Sequence, residues 1–265
     1  MTIVLSARSP MSCGETMKTK QQRPLTCSKQ LASHVLNHVA RYRLTTTDAL
    51  ETLELPEPAT HKKKNDALKH CARMGWLGSD WLIRGRRYWY LTGSPEGFGI
   101  VSKHNGPLSE PAKLRAYAML SFCCRLNSDR HKLTRIEMAK HFPELDRSGL
   151  PDRYYLNNEN KGRLGLVRFD LGHHGRWDRV VDATRQDIRS HLSGPAIRNL
   201  ISADRFEIAI LTVLPQKAQR LRTIFEQHSA SLRIPIGVYD FPQLLPLITS
   251  ITETEVHSIQ SQFPL

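Results

Sequence analysis

The chain has 265 residues, which suits one large domain or two small ones. Lysine and arginine outnumber aspartate and glutamate by 38 to 25, so the formal net charge is +13. The apolar fraction of 40% is well above that of a disordered chain. The longest apolar runs, Ala116–Cys124 and Phe206–Leu214, are less than half as long as a membrane span. These features predict a folded basic protein and exclude a membrane-spanning one.

Neither the first residues nor the cysteines indicate an exported protein. Arg8, Ser9 and Pro10 interrupt the apolar stretch at residues 2–5 before a signal-peptide core can form. The five cysteines are odd in number and contain no C-x-x-C pair: Cys13, Cys27, Cys71, Cys123 and Cys124. Because structural zinc sites and disulfide frameworks need paired cysteines, we expect reduced thiols, no metal site and a cytoplasmic protein.

An N-terminal unit is predicted over residues 27–93. It follows an arm at residues 1–26 that lacks hydrophobic periodicity and is expected to be disordered or weakly ordered. Ser28 is expected to cap the first helix, and a second, short helix follows the threonine-rich turn Thr45–Thr47. Thr60 is suited to be the N-cap of a third helix.

The third helix is predicted to be amphipathic and to lead into a basic hairpin. Its buried side is expected to hold Ala67, Leu68, Cys71 and Met74, and its outward face Lys62, Lys63, Asp66, Lys69, His70 and Arg73. Two strands, Trp76–Ile83 and Arg87–Leu91, surround a tip at Arg84-Gly85-Arg86. Three helices followed by a basic hairpin predict a winged helix-turn-helix.

A larger unit is predicted over residues 112–250, after a linker rich in glycine and proline at 94–111. A helix runs through about 111–126, and Thr134 with Glu137 forms a capping box for a short helix. Strands are then expected at 154–157, 164–170, 206–214 and 234–239, and helices at 177–193, 195–201, 216–228 and 241–248. This succession predicts a mixed sheet flanked by helices, hence an α+β fold, with 251–265 as a C-terminal tail.

Positive charge is concentrated in residues 60–90, which hold eight basic and two acidic side chains. Lysines in a helix's first turn oppose the helix dipole, and arginines at one hairpin tip repel each other, so both arrangements favour a polyanionic ligand. Asn65 lies among them and is suited to pairing with adenine. The predicted nucleic-acid-binding residues are His61, Lys62, Lys63, Lys64, Asn65, Lys69, Arg73, Arg84, Arg86 and Arg87. The predicted partner is double-stranded DNA, with the third helix in the major groove and the hairpin on the backbone.

Acidic residues in the larger unit raise metal-dependent DNA nicking as an alternative, because nucleases of this kind place carboxylates near a lysine. The candidate catalytic residues are Asp170, Asp178, Glu207 and Lys217. Glu207 is followed by Ile208 and Ala209, so the usual Glu-x-Lys pattern is absent and the balance favours a protein without enzyme activity. We therefore expect no cofactor, with Mg²⁺ or Mn²⁺ required only under the nicking alternative. His173-His174 is interpreted as part of a turn, and Tyr154-Tyr155 as packing.

A resemblance supports these expectations over residues 28–250. It is carried by Leu133-Thr134, Phe142-Pro143-Glu144-Leu145, Tyr154-Tyr155, Arg163-Leu164-Gly165, Arg168 to Gly172, Asp178 to Val181 and Leu211 to Lys217. In this order the motifs resemble those of the replication-relaxation or MobC-like mobilisation proteins of plasmids and integrative elements. The resemblance implies an N-terminal winged helix and a C-terminal domain with a restriction-endonuclease-like core.

The resemblance also implies a cellular role. It points to a DNA-binding protein of a mobile genetic element that acts in mobilisation, replication or transcriptional control, located in the bacterial cytoplasm with the nucleoid or a plasmid. Some members of the family are regarded as relaxases and others as accessory DNA-binding factors. A third hypothesis is that the C-terminal unit is a protein-interaction module that recruits other mobilisation proteins or forms a homodimer.

Overall fold

A computed structural model describes residues 27–53, 59–83, 85–100, 105–124, 129–145, 153–159, 162–171, 177–192 and 194–248. The predicted arm at 1–26 and tail at 251–265 lie outside the described residues, as do Arg84 and the pair His173-His174. Within the described part, the chain has an α+β fold with two sheets, as predicted.

Three helices and a hairpin form the N-terminal unit. They are α1 (Cys27–Tyr42), α2 (Thr47–Glu51), α3 (His61–Arg73), β1 (Leu77–Ile83) and β2 (Arg86–Leu91). The hydroxyl of Thr60 accepts from the N–H of Lys63 at 3.3 Å, which confirms the predicted N-cap of α3. Gly75, with a φ of +72°, follows the helix and turns the chain towards β1. Because the turn begins at Met74, this side chain is 53% exposed, and the prediction that it is buried is wrong.

The hairpin is attached to the helices through Thr45. Strands β1 and β2 pair antiparallel, and the N–H and C=O of Thr45 bond with those of Trp89 at 3.0 and 2.9 Å. This single bridge ties the segment before α2 to β2. The core of the unit is shared by all these elements, with Val35, Leu36, Leu68, Leu77 and Leu91 almost fully buried.

The C-terminal unit is a five-stranded mixed sheet between helices. Its elements are α4 (Glu110–Cys124), β3 (Arg130–Lys132), α5 (Arg135–His141), β4 (Tyr154–Asn157), β5 (Arg163–Asp170), α6 (Trp177–Leu192), α7 (Pro195–Ser202), β6 (Phe206–Thr212), α8 (Pro215–Leu232) and β7 (Ile236–Asp240). The strand order is β3-β4-β5-β6-β7, with β4 antiparallel to both neighbours and β5, β6 and β7 parallel. The three polar residues of β3 are too few to show a strand pattern, and this strand was not predicted.

The sheet buries both of its faces. On β5, Leu164 and Leu166 pack with α6, α7 and α8, whereas Val167 belongs to the core formed with α4. Every residue of β6 is buried, as its apolar, β-branched sequence predicts for a central strand. The capping box of Thr134 and Glu137 is also confirmed.

Helix α4 connects the two units through a shared hydrophobic cluster. Its apolar side chains pack in a single cluster with Tyr88 of the hairpin and Ala209 of the sheet. The N–H of Leu108, in the segment before α4, donates to the hydroxyl of Tyr88 at 3.1 Å. A second connection is the ion pair between Arg41 of α1 and Glu137 of α5, at 2.6 Å.

Candidate nucleic-acid interface

The predicted outward face of α3 carries a group of exposed, positively charged side chains. Lys62, Lys63, Lys69 and Arg73 are exposed, together with Asp66 and His70, and Ala67, Leu68 and Cys71 are buried on the opposite side. Residues 62, 66, 69 and 73 follow helical spacing and lie in one row. Within the described residues, no acidic side chain forms an ion pair with any of the four cations, which are Lys62, Lys63, Lys69 and Arg73. The predicted outward face of α3 is therefore confirmed.

Lys64 is not part of this face. Its side chain is only 7% exposed, and its ammonium donates to the carbonyl oxygens of Glu51 at 2.8 Å and Leu53 at 2.7 Å. Burial lowers the pKa of Lys64, although the nearby Glu51 carboxylate opposes the shift. The side chain caps the C-terminal end of α2, so its prediction as a DNA contact is corrected. Lys64 precedes Leu68 and Cys71 by four and seven residues, a spacing that already indicated the buried side.

Replacing Lys64 with methionine is expected to lower the free energy of unfolding by about 1–3 kcal/mol, because two carbonyl groups lose their charged donor. Replacing the exposed neighbour Lys63 with methionine is the matched control and should change stability by less than about 0.5 kcal/mol. Urea unfolding followed by circular dichroism measures both values. Equal stability of the two variants would contradict the capping role.

His61 and Asn65 are held at the start of α3 by an acidic neighbour. The imidazole Nδ1 of His61 lies 3.0 Å from the Glu51 carboxylate, and its Nε2 lies 2.7 Å from the Asn65 side-chain nitrogen. Half of the His61 side chain is exposed. Both residues thus lie next to Lys62 and Lys63 on α3. The side-chain amide of Asn65 is already in contact with the His61 ring.

The two described arginines of the hairpin tip point in opposite directions, because successive residues of a strand alternate between faces. Arg86 turns inward and donates to the Tyr117 hydroxyl at 2.8 Å, and it pairs with Asp48 at 3.2 Å. Arg86 therefore has two partners within the protein while 40% of its side chain is exposed, and its role as a DNA contact stays a prediction. Arg87 is exposed, and its guanidinium carbon lies 4.7 Å from the centre of the Trp81 ring.

The hairpin is also fixed to α4 at the other strand. Lys113 is 4% exposed, and its ammonium donates to the Trp81 carbonyl at 3.0 Å and the Glu110 carboxylate at 2.6 Å. Asp80 lies 3.8 Å from the same ammonium. The exposed residues of the hairpin therefore stand on a base that is tied to the C-terminal unit.

Two of the four candidate catalytic residues meet at the carboxyl end of the parallel strands. The Lys217 ammonium, in the first turn of α8, lies 2.8 and 3.0 Å from the two Asp170 carboxylate oxygens. Asp170 is in register with Thr212 on β6, and Thr212 with Asp240 on β7. Asp240 is paired in turn with Arg222 at 2.5 Å.

Glu207 lies far from this pair. It belongs to the opposite face of the sheet and precedes Thr212 by five residues, about 16 Å along a strand. Its carboxylate accepts from the Tyr155 hydroxyl at 2.6 Å and the Asn157 amide at 3.0 Å, and lies 3.8 Å from Arg163. The structure therefore does not bring together the carboxylates that the sequence analysis grouped.

The remaining candidates do not complete a metal centre in the described part of the chain. Asp178 lies in the first turn of α6 and is half-buried. No group of three or more histidine, cysteine, aspartate or glutamate side chains suited to a metal ion occurs among the described residues.

Burial raises the pKa of Tyr154 to about 12, and burial together with the Glu207 carboxylate raises that of Tyr155 well above its usual value. Both tyrosines are nearly inaccessible, as expected of packing residues.

Comparisons with known proteins give no relative for this chain. No family model, no curated protein and no solved structure matches it. Among the helices of the described residues, none combines the length and apolar character needed to cross a bilayer.

Proposed function

We propose that this chain binds double-stranded DNA through the exposed face of α3. The single observation that carries the proposal is the group of four exposed cations on this face, Lys62, Lys63, Lys69 and Arg73, none of which pairs with an acid within the described residues. Each such cation set against a phosphate releases a condensed counterion, which drives binding to DNA. The overall charge of +13 favours association with any polyanion.

The order of elements in the N-terminal unit supports the same proposal. Helices α1, α2 and α3 are followed by the hairpin β1–β2, and a single bridge at Thr45 ties the segment before α2 to β2. This is the arrangement expected of a winged helix-turn-helix, in which the last helix enters the major groove. Arg87 would then contact the backbone beside the groove.

The cellular context is proposed from the sequence resemblance. We place the protein in the bacterial cytoplasm, bound to a plasmid or to the nucleoid, acting in mobilisation, replication or transcriptional control of a mobile element. Under this proposal the C-terminal unit is a restriction-endonuclease-like core, which is compatible with its mixed sheet and two helical layers. It would serve as an interaction module for a second copy or for other mobilisation proteins.

Replacing Lys62, Lys69 and Arg73 with alanine is expected to weaken binding to a duplex at least tenfold. The slope of log affinity against log salt should fall by about two to three, because each lost phosphate contact removes about 0.9. Fluorescence anisotropy at several salt concentrations measures both quantities.

The matched control removes the same charge elsewhere. Arg179, Arg189 and Arg198 are exposed on α6 and α7, so their joint replacement with alanine lowers the net charge equally. This control should keep most of the affinity and the salt slope. A similar loss in both triple variants would show that net charge, and not the face of α3, accounts for binding.

A second candidate function, DNA nicking with Mg²⁺ or Mn²⁺, is favoured by one contact, the Asp170–Lys217 pair. An incubation with supercoiled plasmid and each metal tests it. Nicking that disappears in Asp170→Asn would support it, and the absence of metal-dependent nicking by the unaltered chain would exclude it. The proposal of DNA binding does not depend on this result.

A further inference from the structure

Trp81 is an aromatic residue with an exposed side chain on strand β1 of the hairpin. Its side chain is 51% exposed, and it is the only exposed Trp, Tyr or Phe among the residues that the structure describes. The other tryptophans, Trp76, Trp89 and Trp177, are all partly covered by the core. A half-exposed indole keeps much of its apolar surface in water, and tryptophan, with its apolar ring and polar N–H, is enriched at surfaces that are covered in a complex.

Arg87 turns the exposed indole into a cationic surface. Trp81 and Arg87 are direct partners across the hairpin, and the guanidinium lies over the ring at 4.7 Å. In contrast to Arg86, Arg87 has no carboxylate partner in the described residues, so its donors remain available to an anion. A flat ring with a guanidinium against it offers stacking and charge to the same ligand.

A nucleotide with an uncovered base fits this combination. Aromatic side chains stack on bases that are not already stacked on their neighbours, and arginine neutralises the adjoining phosphate. Within an intact duplex both faces of every base are covered, so a ring of this kind gains its stacking partner only where a strand is unpaired. Charge complementarity favours this ligand, because Arg87 places a positive charge beside the ring and the phosphates of DNA are negative.

We propose that Trp81 and Arg87 bind an unpaired base next to the duplex held by α3, so that the preferred ligand is a junction between double-stranded and single-stranded DNA. This inference rests on the proposed DNA binding and specifies the kind of DNA. It assigns the Trp81 ring the recognition of a strand end or an opened segment, with Arg87 on the adjoining phosphate, while the face of α3 binds the duplex.

The test compares two fluorescently labelled probes, a blunt duplex and the same duplex with a single-stranded extension of several nucleotides. The unaltered chain should bind the extended probe about tenfold more tightly, since stacking of one base contributes a factor of this order. Trp81→Ala should remove this preference and change the affinity for the blunt duplex less than about twofold. Trp81→Phe, which keeps a ring, should retain part of it.

Ile136→Ala is the matched control, because Ile136 is an apolar residue of α5 that is 81% exposed and lies outside the proposed site. It should leave both affinities unchanged, and circular dichroism melts establish that all variants fold. Equal binding of the two probes by the unaltered chain, or an equal loss on both in Trp81→Ala, would overturn the inference and leave duplex binding intact. Absence of binding to either probe would overturn the proposed function as well.

Discussion

Replacing Gly165 with alanine is expected to lower the free energy of unfolding by about 3 kcal/mol, in the upper range for overpacking of a core. The ring of Tyr155 lies flat over Gly165, and a Cβ at this position would be 2.0 Å from the ring carbon Cζ. The ring has no room to move away. It is 1% exposed, it meets the Phe122 ring at 5.0 Å, and its hydroxyl is bound to Glu207.

Urea unfolding measures this effect, with Gly93→Ala as the control. No atom lies within 4 Å of a Cβ added to Gly93, so that variant should keep its stability. A double-mutant cycle with Tyr155→Ala gives the cause. In the absence of the ring, the change from glycine to alanine should cost less than about 1 kcal/mol. An undiminished cost in that background would mean that the backbone at Gly165, and not the ring, excludes the methyl group.

Acidification is expected to destabilise the protein through His38. Burial, helped by the charges of Arg41 and Lys64, lowers the pKa of His38 to about 3, against about 6.5 for an exposed histidine. Between these values the unfolded chain binds a proton that the folded chain does not. Stability from this group is therefore complete above about pH 6.5 and is lost as the pH falls towards 3, by about 5 kcal/mol over the full range.

The variant His38→Phe keeps a ring beside Tyr42, which His38 contacts at 5.0 Å between ring centres, but it binds no proton. Between pH 6 and pH 4, the free energy of unfolding should fall less steeply for this variant than for the unaltered chain. The two slopes should differ by about 1.4 kcal/mol per pH unit. His141→Phe, on the exposed end of α5, should keep the original slope. Parallel pH profiles for His38→Phe and the unaltered chain would show that His38 is already charged in the folded state.

The N-terminal unit shows how far sequence patterns reach. The outward face of α3 follows from helical spacing, since a helix with one apolar side must turn the other side to solvent. The same spacing places Lys64 with Leu68 and Cys71, so the pattern of apolar residues predicts its burial, whereas the local run of lysines points to exposure. Arg86 could not be assigned in this way, because its partner Tyr117 is 31 residues away on α4.

For the candidate catalytic residues, the spacing in the sequence does not predict which side chains meet. Asp170 and Lys217 are 47 residues apart in the chain and meet because β5 and β6 pair in parallel and α8 follows β6 directly. Glu207 is nearer to both in the sequence than they are to each other, yet it lies on the other face of the sheet. A shift of one residue along a strand moves a side chain to the other face of the sheet. The number of residues between two strands does not show the register in which they pair.

The amino-acid sequence by itself determined most of the helices and strands, with β3 an exception, and also the amphipathic face of α3 and the mixed character of the fold. These depend on neighbours within a few positions of one another, where backbone geometry repeats. Only the tertiary structure decided which charges remain free for a ligand. Lys64 is buried against two carbonyl oxygens and Arg86 is bound to a hydroxyl and a carboxylate of other elements, whereas Arg87 lies beside Trp81 on the exposed face of the hairpin. Such choices follow from packing between distant segments, which no local pattern encodes.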